Sequence, residues 1–420
     1  LSSAASDVYK RQEYNGYVGL QQVTRYPKMM NAYEYASLYN EAIYNNDPWR
    51  GANAYSQEQL MAYRNGTAGT DWWGETMRST APQTSHNLSV TGGTERVKYY
   101  MSVGYMDQGG ILRSEDWNYK RYNVRSNLSV EITKGLNVEL GLSGRYDNRK
   151  RPYDADNLFR SAQMAIPTYS IYANDNPDYW GGVGDMANPV HVSDSEYSGN
   201  EDRLRREFNG SLALTWKFPW VKGLIAKALV AYDYTNTEWK TWRRDLTEYT
   251  YDYANEEYVG KEINTAYLES KFENYEKPTY QFSLNYNNTF AKRHNIGATF
   301  VWEMYNDKKN WVTGTRDFAI GLIPDLDYGN DSNQKSSGKT QKTAHAGWVG
   351  RLNYDYGNRY LVEFNFRYDG TYKFQRGNRW GFFPGVSLGW RVSEEDFFKK
   401  LLPDMDNLCL LYTSDAADDK

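Results

Sequence analysis

The 420-residue sequence predicts an all-β fold, an antiparallel up-and-down β-barrel wall that crosses a membrane with its strands. Three observations predict it. Apolar and polar residues alternate with period two over runs of about ten residues, longer than the 5–6 usual for globular strands and matched to the 9–11 of a tilted membrane strand. Aromatics reach 16%, with 39 tyrosines, although mean hydropathy is only −0.84. The connections between alternating runs are short and long in turn, the rhythm of barrels with tight turns on one side and loops on the other.

A chain this polar could be disordered, but disordered chains are poor in aromatics. No stretch of eighteen apolar residues offers a transmembrane helix, and alternating strands escape hydropathy averages. The net charge is −4, with no concentrated basic stripe, so no nucleic-acid partner is expected. The single cysteine, Cys409, gives neither a disulfide framework nor a thiolate metal site.

Both ends read as foreign. Residues 1–12 and 409–420 resemble translated sequencing-adaptor peptides, with ordinary tails as the other reading, and both are set aside from the fold. That leaves 13–408 as one barrel segment. Strands are expected near 14–23, 86–92, 97–106, 120–132, 136–147, 204–217, 224–239, 278–290, 295–306, 343–356, 359–371 and 380–393. In the third, Val97, Tyr99, Met101, Val103 and Tyr105 share a face. Leu128, Val130 and Ile132 mark the fourth, and Leu136, Val138, Leu140 and Leu142 the fifth. Phe282, Leu284 and Tyr286 mark the eighth. In the eleventh, Val362, Phe364 and Phe366 alternate with Glu363, Asn365 and Arg367. The first set is expected to face lipid and the second the lumen. Tyr105, Tyr146, Trp216, Trp239, Trp302, Trp348 and Trp390 are read as interfacial girdles.

Short joints fall at 93–96, 133–135, 219–223, 291–294 and 357–358. The long connections include 24–85, 148–203 and 240–277, and short helices interrupt them. One spans Asn31 to Ala42, capped by Asn31. Another is expected from Glu394 to Leu402, capped by Ser393, with acidic residues in its first turn and Pro403 as its stop.

Chemistry-bearing patterns are sparse. His86, His191, His294 and His345 have no metal-ligand spacing, so satisfied or solvated histidines are expected and no metal or cofactor. Gly181-Gly182-Val183-Gly184 lacks the strand and helix of a phosphate-binding loop. Asp154 and Asp156 are read as loop polarity rather than a glycosidase pair. No enzymatic activity is expected. The candidate substrate contacts are Trp72, Trp73, Tyr179 and Trp180, in the longest loops beside Asp71 and Asp178. Flat rings next to polar groups suit sugars, and they equally suit packing of loops over a barrel mouth.

Two stretches resemble a known family. One is Tyr14-Asn15-Gly16-Tyr17-Val18-Gly19 with Asn31-Ala32-Tyr33-Glu34-Tyr35 and Leu38-Tyr39-Asn40-Glu41-Ala42. The other runs from Arg367-Tyr368-Asp369-Gly370 through Gly377-Asn378-Arg379-Trp380-Gly381-Phe382-Phe383-Pro384 to Gly389-Trp390-Arg391. Both are similar to SusC/RagA-type TonB-dependent transporters of Bacteroidetes, and the resemblance covers about residues 13–408. It implies about 12 of the family's 22 strands, with the plug and TonB-contacting segment upstream and the remaining strands downstream. It also implies outer-membrane lipid as surroundings, import of oligosaccharides or peptides, and TonB and a SusD-like surface lipoprotein as partners. A soluble carbohydrate-binding or carbohydrate-cleaving β-protein and a porin or adhesin barrel working without TonB are the alternatives. Twelve strands are expected to leave two edges, near Tyr14–Val23 and Trp380–Ser393, in a curved open trough rather than a narrow closed barrel.

Overall fold

Period-two alternation gives each strand one face for each of two media, and the chain uses it in a single large sheet. A computed structural model describes residues 9–49 and 53–415. Its strands are β1 (Tyr9–Gln22), β2 (Thr80–Gly93), β3 (Val97–Gly109), β4 (Asn118–Thr133), β5 (Leu136–Pro152), β6 (Gly199–Lys217), β7 (Leu224–Arg243), β8 (Leu246–Asp252), β9 (Glu257–Asn264), β10 (Tyr267–Phe290), β11 (His294–Asp317), β12 (Lys335–Tyr356), β13 (Tyr360–Thr371), β14 (Trp380–Arg391) and β15 (Cys409–Asp415). Thirteen of them form one antiparallel sheet in chain order, and β8 and β9 pair only with each other. The sheet is an open trough, because β1 and β15 each have a strand neighbour on one side only among the described residues. No two-sheet sandwich forms among the described residues.

All twelve expected strands are present. One expected edge is displaced: Trp380–Arg391 is paired on both sides, because Cys409–Asp415 adds as a thirteenth strand. That addition lies in a segment the sequence reading set aside. Tyr9–Gln12, also set aside, extends β1 along Gly93–Val90. Residues 1–8 and 416–420 lie outside the described residues.

Register assigns the faces. Phe364 sits opposite Leu352 and Val386, while Asn365 sits opposite Arg351 and Gly385. Followed strand by strand, the outward row includes Val124, Leu142, Leu212, Val230, Phe282 and Leu352, all exposed. On β6 the apolar outward stretch runs from Phe208 to Trp216, the length a tilted strand needs to cross a bilayer core. Tyr105, Tyr122 and Tyr146 pack side by side at the upper rim of this band. Tyr354, Tyr360 and Trp390 sit at its lower rim. Trp239 is not a girdle residue. It lies five residues beyond Tyr234, so parity turns it to the inner, polar face, against Lys271.

The short joints are tight turns. In Tyr356–Arg359 both central residues, Gly357 and Asn358, have φ of 58°, and Arg359 N–H donates to Tyr356 O at 3.0 Å. Two positive-φ residues are what a type I′ hairpin turn requires, and Gly and Asn adopt them most readily. Gly223 (φ 90°) closes the β6–β7 turn, where any Cβ would collide with Asn287 O. All the long connections up to β14 emerge at the opposite end of the sheet.

The helices are α1 (Ala32–Asn46), α2 (Gln57–Arg64), α3 (Trp72–Thr76), α4 (Ala155–Met164), α5 (Pro189–Ser193), α6 (Ser195–Ser198) and α7 (Asp396–Leu401). Asn31 caps α1 in a full capping box with Glu34, as its sequence expects. Ser393 does not cap α7. It is buried in a 3₁₀ turn (Val392–Glu394), which leaves Glu395 at the helix start. Glu395 is committed elsewhere, accepting from Tyr360 Oη at 2.7 Å and Arg359 Nη1 at 3.1 Å.

Strands β6, β7, β10, β11 and β12 overrun the apolar band at the loop end. The connection expected at 240–277 is therefore mostly strand: β7 continues to Arg243, β10 starts at Tyr267, and the β8–β9 hairpin fills the gap.

Candidate functional site

The long connections fold into a cluster over the loop end of the wall, and side chains stitch it together. Asn40 bonds both backbone groups of Tyr55, donating to O at 2.8 Å and accepting from N–H at 2.9 Å. Tyr55 Oη lies 3.0 Å from Thr168 Oγ1, and Thr70 N–H donates to Pro167 O at 2.8 Å. The first and second long loops thus become one body.

Trp72 and Trp73 are placed by α3, whose N-cap is Asp71. Trp72 is 3% exposed, packed with Ala165 and Val183, and its indole N–H donates to Ile166 O at 2.9 Å. Trp73 is half-buried, stacked on Tyr26 with ring centres 5.8 Å apart and tilted against Phe159. Both border a cavity of about 1000 Å³ that also takes in Tyr35, Tyr63, Met30 and Arg113. Burial, and next the neighbouring Tyr55, pushes the phenols of Tyr35 and Tyr63 above their ordinary range.

Tyr179 and Trp180 lie apart from that cavity's lining. Tyr179 stacks flat on Tyr258 at 3.8 Å and meets Tyr249 edge-on at 5.0 Å. Trp180 stacks on His191 at 4.4 Å, with Tyr172 and Tyr197 at its sides. The two tryptophan-bearing groups meet through α5, since Val190 packs on the Trp72 cluster and the next residue, His191, on Trp180. Trp72 is thus buried, and Trp73, Tyr179 and Trp180 are half-buried with their rings packed on neighbours, while Trp72 and Trp73 alone of the four line that cavity.

Some groups were not singled out by the sequence. His191 is buried rather than solvated, with Nδ1 3.8 Å from Glu248 Oε1. Glu248, on β8, is itself buried and accepts from Asn188 N–H at 2.6 Å, which ties the β8–β9 hairpin to α5. A hairpin hidden in a polar loop gave no warning of this tie. No group of three or more metal-ligand side chains gathers among the described residues. Among the same residues no helix is long and apolar enough to cross a membrane.

No protein-family model matches the chain. The TonB-dependent receptor SusC of Bacteroides thetaiotaomicron is 24% identical over 445 residues, covering 94% of this chain and 40% of that protein. The TonB-dependent receptor P39 of Formosa agariphila is 26% identical over 325 residues, covering 75% and 29%. Among solved structures, the RagAB peptide transporter aligns with a TM-score of 0.72 at 18% identity, over 96% of this chain and 47% of that one. The RagAB peptide importer in its open-open state aligns with a TM-score of 0.73. The chain therefore spans less than half the length of the relatives it matches. By sequence over most of its length and by fold, the chain is similar to SusC/RagA-type TonB-dependent receptors and matches part of their barrel.

Proposed function

We propose that this chain is a stretch of barrel wall in a TonB-dependent outer-membrane transporter that imports large nutrients, oligosaccharides or peptides. The observation that carries this is the two-faced thirteen-stranded sheet, apolar outside and polar inside, with its loop cluster at one end. Such a wall does passive work: its outer face sits in lipid, its inner face borders a water-filled route, and its loops meet ligand and partner. The role is transport rather than catalysis. The likeness to SusC and RagAB supports a SusD-like lipoprotein as the partner over the loops and TonB as the energy source, acting through a plug.

The partner is tested by cross-linking on cells. Trp180 is poorly suited as an attachment point because it is half-buried against His191 and Tyr197. Tyr253, at the tip of the β8–β9 hairpin, and Tyr328, in the β11–β12 loop, are 75% and 66% exposed. Photo-reactive groups at Tyr253 and Tyr328 in the full-length protein are expected to capture a surface lipoprotein of SusD type. Capture of periplasmic proteins alone would invert the topology and sink the proposal.

A further inference from the structure

We propose that the inner wall carries a carboxylate-binding row, built from Arg149, Arg203 and Lys271 around Trp239, which makes the cargo an acidic oligomer. This rests on the transporter reading and adds the chemical class of the cargo.

The row is set by register across four adjacent strands. Arg149 on β5 pairs with Arg203 on β6, Arg203 with Trp239 on β7, and Trp239 with Lys271 on β10. All four side chains point to the polar face and are half-buried. Lys271 Nζ lies 4.6 Å from the centre of the Trp239 ring and 5.6 Å from that of Trp311, and Arg203 Cζ lies 5.9 Å from Trp239. The row stands just beyond the apolar band, between the membrane-level wall and the loop cluster, where a ligand leaving the loops would meet it.

Carboxylates are plentiful nearby, and those beside Arg149 and Arg203 serve other cations. Asp147 is held by Arg121 at 3.1 Å and Arg145 at 2.9 Å. Glu207 is held by Arg145 and Arg205. Glu201 takes Arg151 at 2.5 Å. Glu273 pairs closely with Lys309, at 2.9 Å, and loosely with Lys271, at 3.8 Å. Among the described residues Arg149 and Arg203 have no ion pair, and the Nε of each is buried without an acceptor. Two adjacent half-buried guanidiniums repel each other and each leaves a buried Nε–H unpaired, a cost that a bound anion would offset.

Guanidinium forks match the planar geometry of a carboxylate and bind it through two parallel N–H···O bonds. The Trp239 and Trp311 rings beside them offer an apolar platform for the remainder of a chain molecule. Carboxylates in oligomers come from acidic peptides or from uronate sugars, and the row's chemistry suits both.

The test is calorimetry on the full-length transporter in detergent, with hexaglutamate and trigalacturonate against hexaglutamine and a neutral trisaccharide. One acidic probe is expected to bind about tenfold or more tighter than its neutral counterpart, identifying the source. The R149Q/R203Q double variant is expected to lose about that factor for the acidic probe only, and K271Q a smaller part of it. Unchanged heat-modifiable gel mobility confirms a folded barrel in each variant. Equal binding of acidic and neutral probes overturns the proposal, as does failure of both acidic probes to bind. So does acidic binding that ignores R149Q/R203Q, the result if a carboxylate elsewhere in the whole protein occupies the pair. TonB-dependent uptake of a neutral probe would then leave the transporter reading standing, whereas its absence for every probe would remove that reading as well.

Discussion

Arginine at Phe364 in the full-length protein is expected to destabilise the membrane-inserted barrel by about 2–4 kcal/mol. Phe364 lies at the centre of the outward run on β13, between Leu352 and Val386 and beside Phe366 at 6.1 Å. In lipid nothing there solvates a guanidinium, and mid-strand it is far from either headgroup layer. Ser387→Arg is the matched control, because Ser387 faces inward opposite Glu363. That substitution places the new charge in a wet, acidic setting and is expected to change stability by less than about 1 kcal/mol. Denaturant unfolding in lipid vesicles measures both. Equal losses, or a larger loss for Ser387→Arg, would mean that the faces are assigned the wrong way round.

Produced alone, these 420 residues are expected to aggregate without detergent and to become monodisperse in it. The outward residues Val124, Leu212, Val230 and Leu352 are each about half exposed, at 50–51%. They belong to a contiguous apolar face far larger than the few hundred Å² a soluble monomer tolerates. The edges add to this. Val18 and Leu20 on β1, and Leu410 and Tyr412 on β15, are exposed beside backbone groups with no strand neighbour among the described residues. Such edges recruit other chains. Sedimentation with and without detergent checks this, and a stable detergent-free monomer would contradict the membrane reading of the outer face.

What the sequence made legible followed the physics of two media. Wherever one face meets lipid and the other water, as from Leu128 to Ile132 or Val362 to Phe366, alternation marked the strand. Past the band both faces are wet. On β10 from Tyr267 to Lys277, Glu269, Lys271 and Glu273 face in while Ser270 and Asn274 face out, so no alternation survives and the strand reads as loop. The β8–β9 hairpin was lost for the same reason. Trp239 was misplaced because aromatic identity does not specify a face; its odd spacing from Tyr232 would have done so. Ser393 looked like a helix cap by residue type, but burial of Val392 and Ser393 pulls the chain into a tighter turn first. The candidate aromatics were recognisable as loop residues beside acidic groups. Their packing partners, Ala165 for Trp72, Phe159 for Trp73 and Tyr258 for Tyr179, lie far away in sequence.

The central claim is that alternate residues of one strand meet lipid and water. Single cysteines at Val362, Glu363, Phe364, Asn365, Phe366 and Arg367 of the full-length protein, probed in native membranes with a membrane-impermeant thiol reagent, test it most directly. Strong labelling at Glu363, Asn365 and Arg367, with little at Val362, Phe364 and Phe366, is the expected pattern. Strong labelling at Phe364 with none at Asn365, or uniform labelling along the strand, would contradict it.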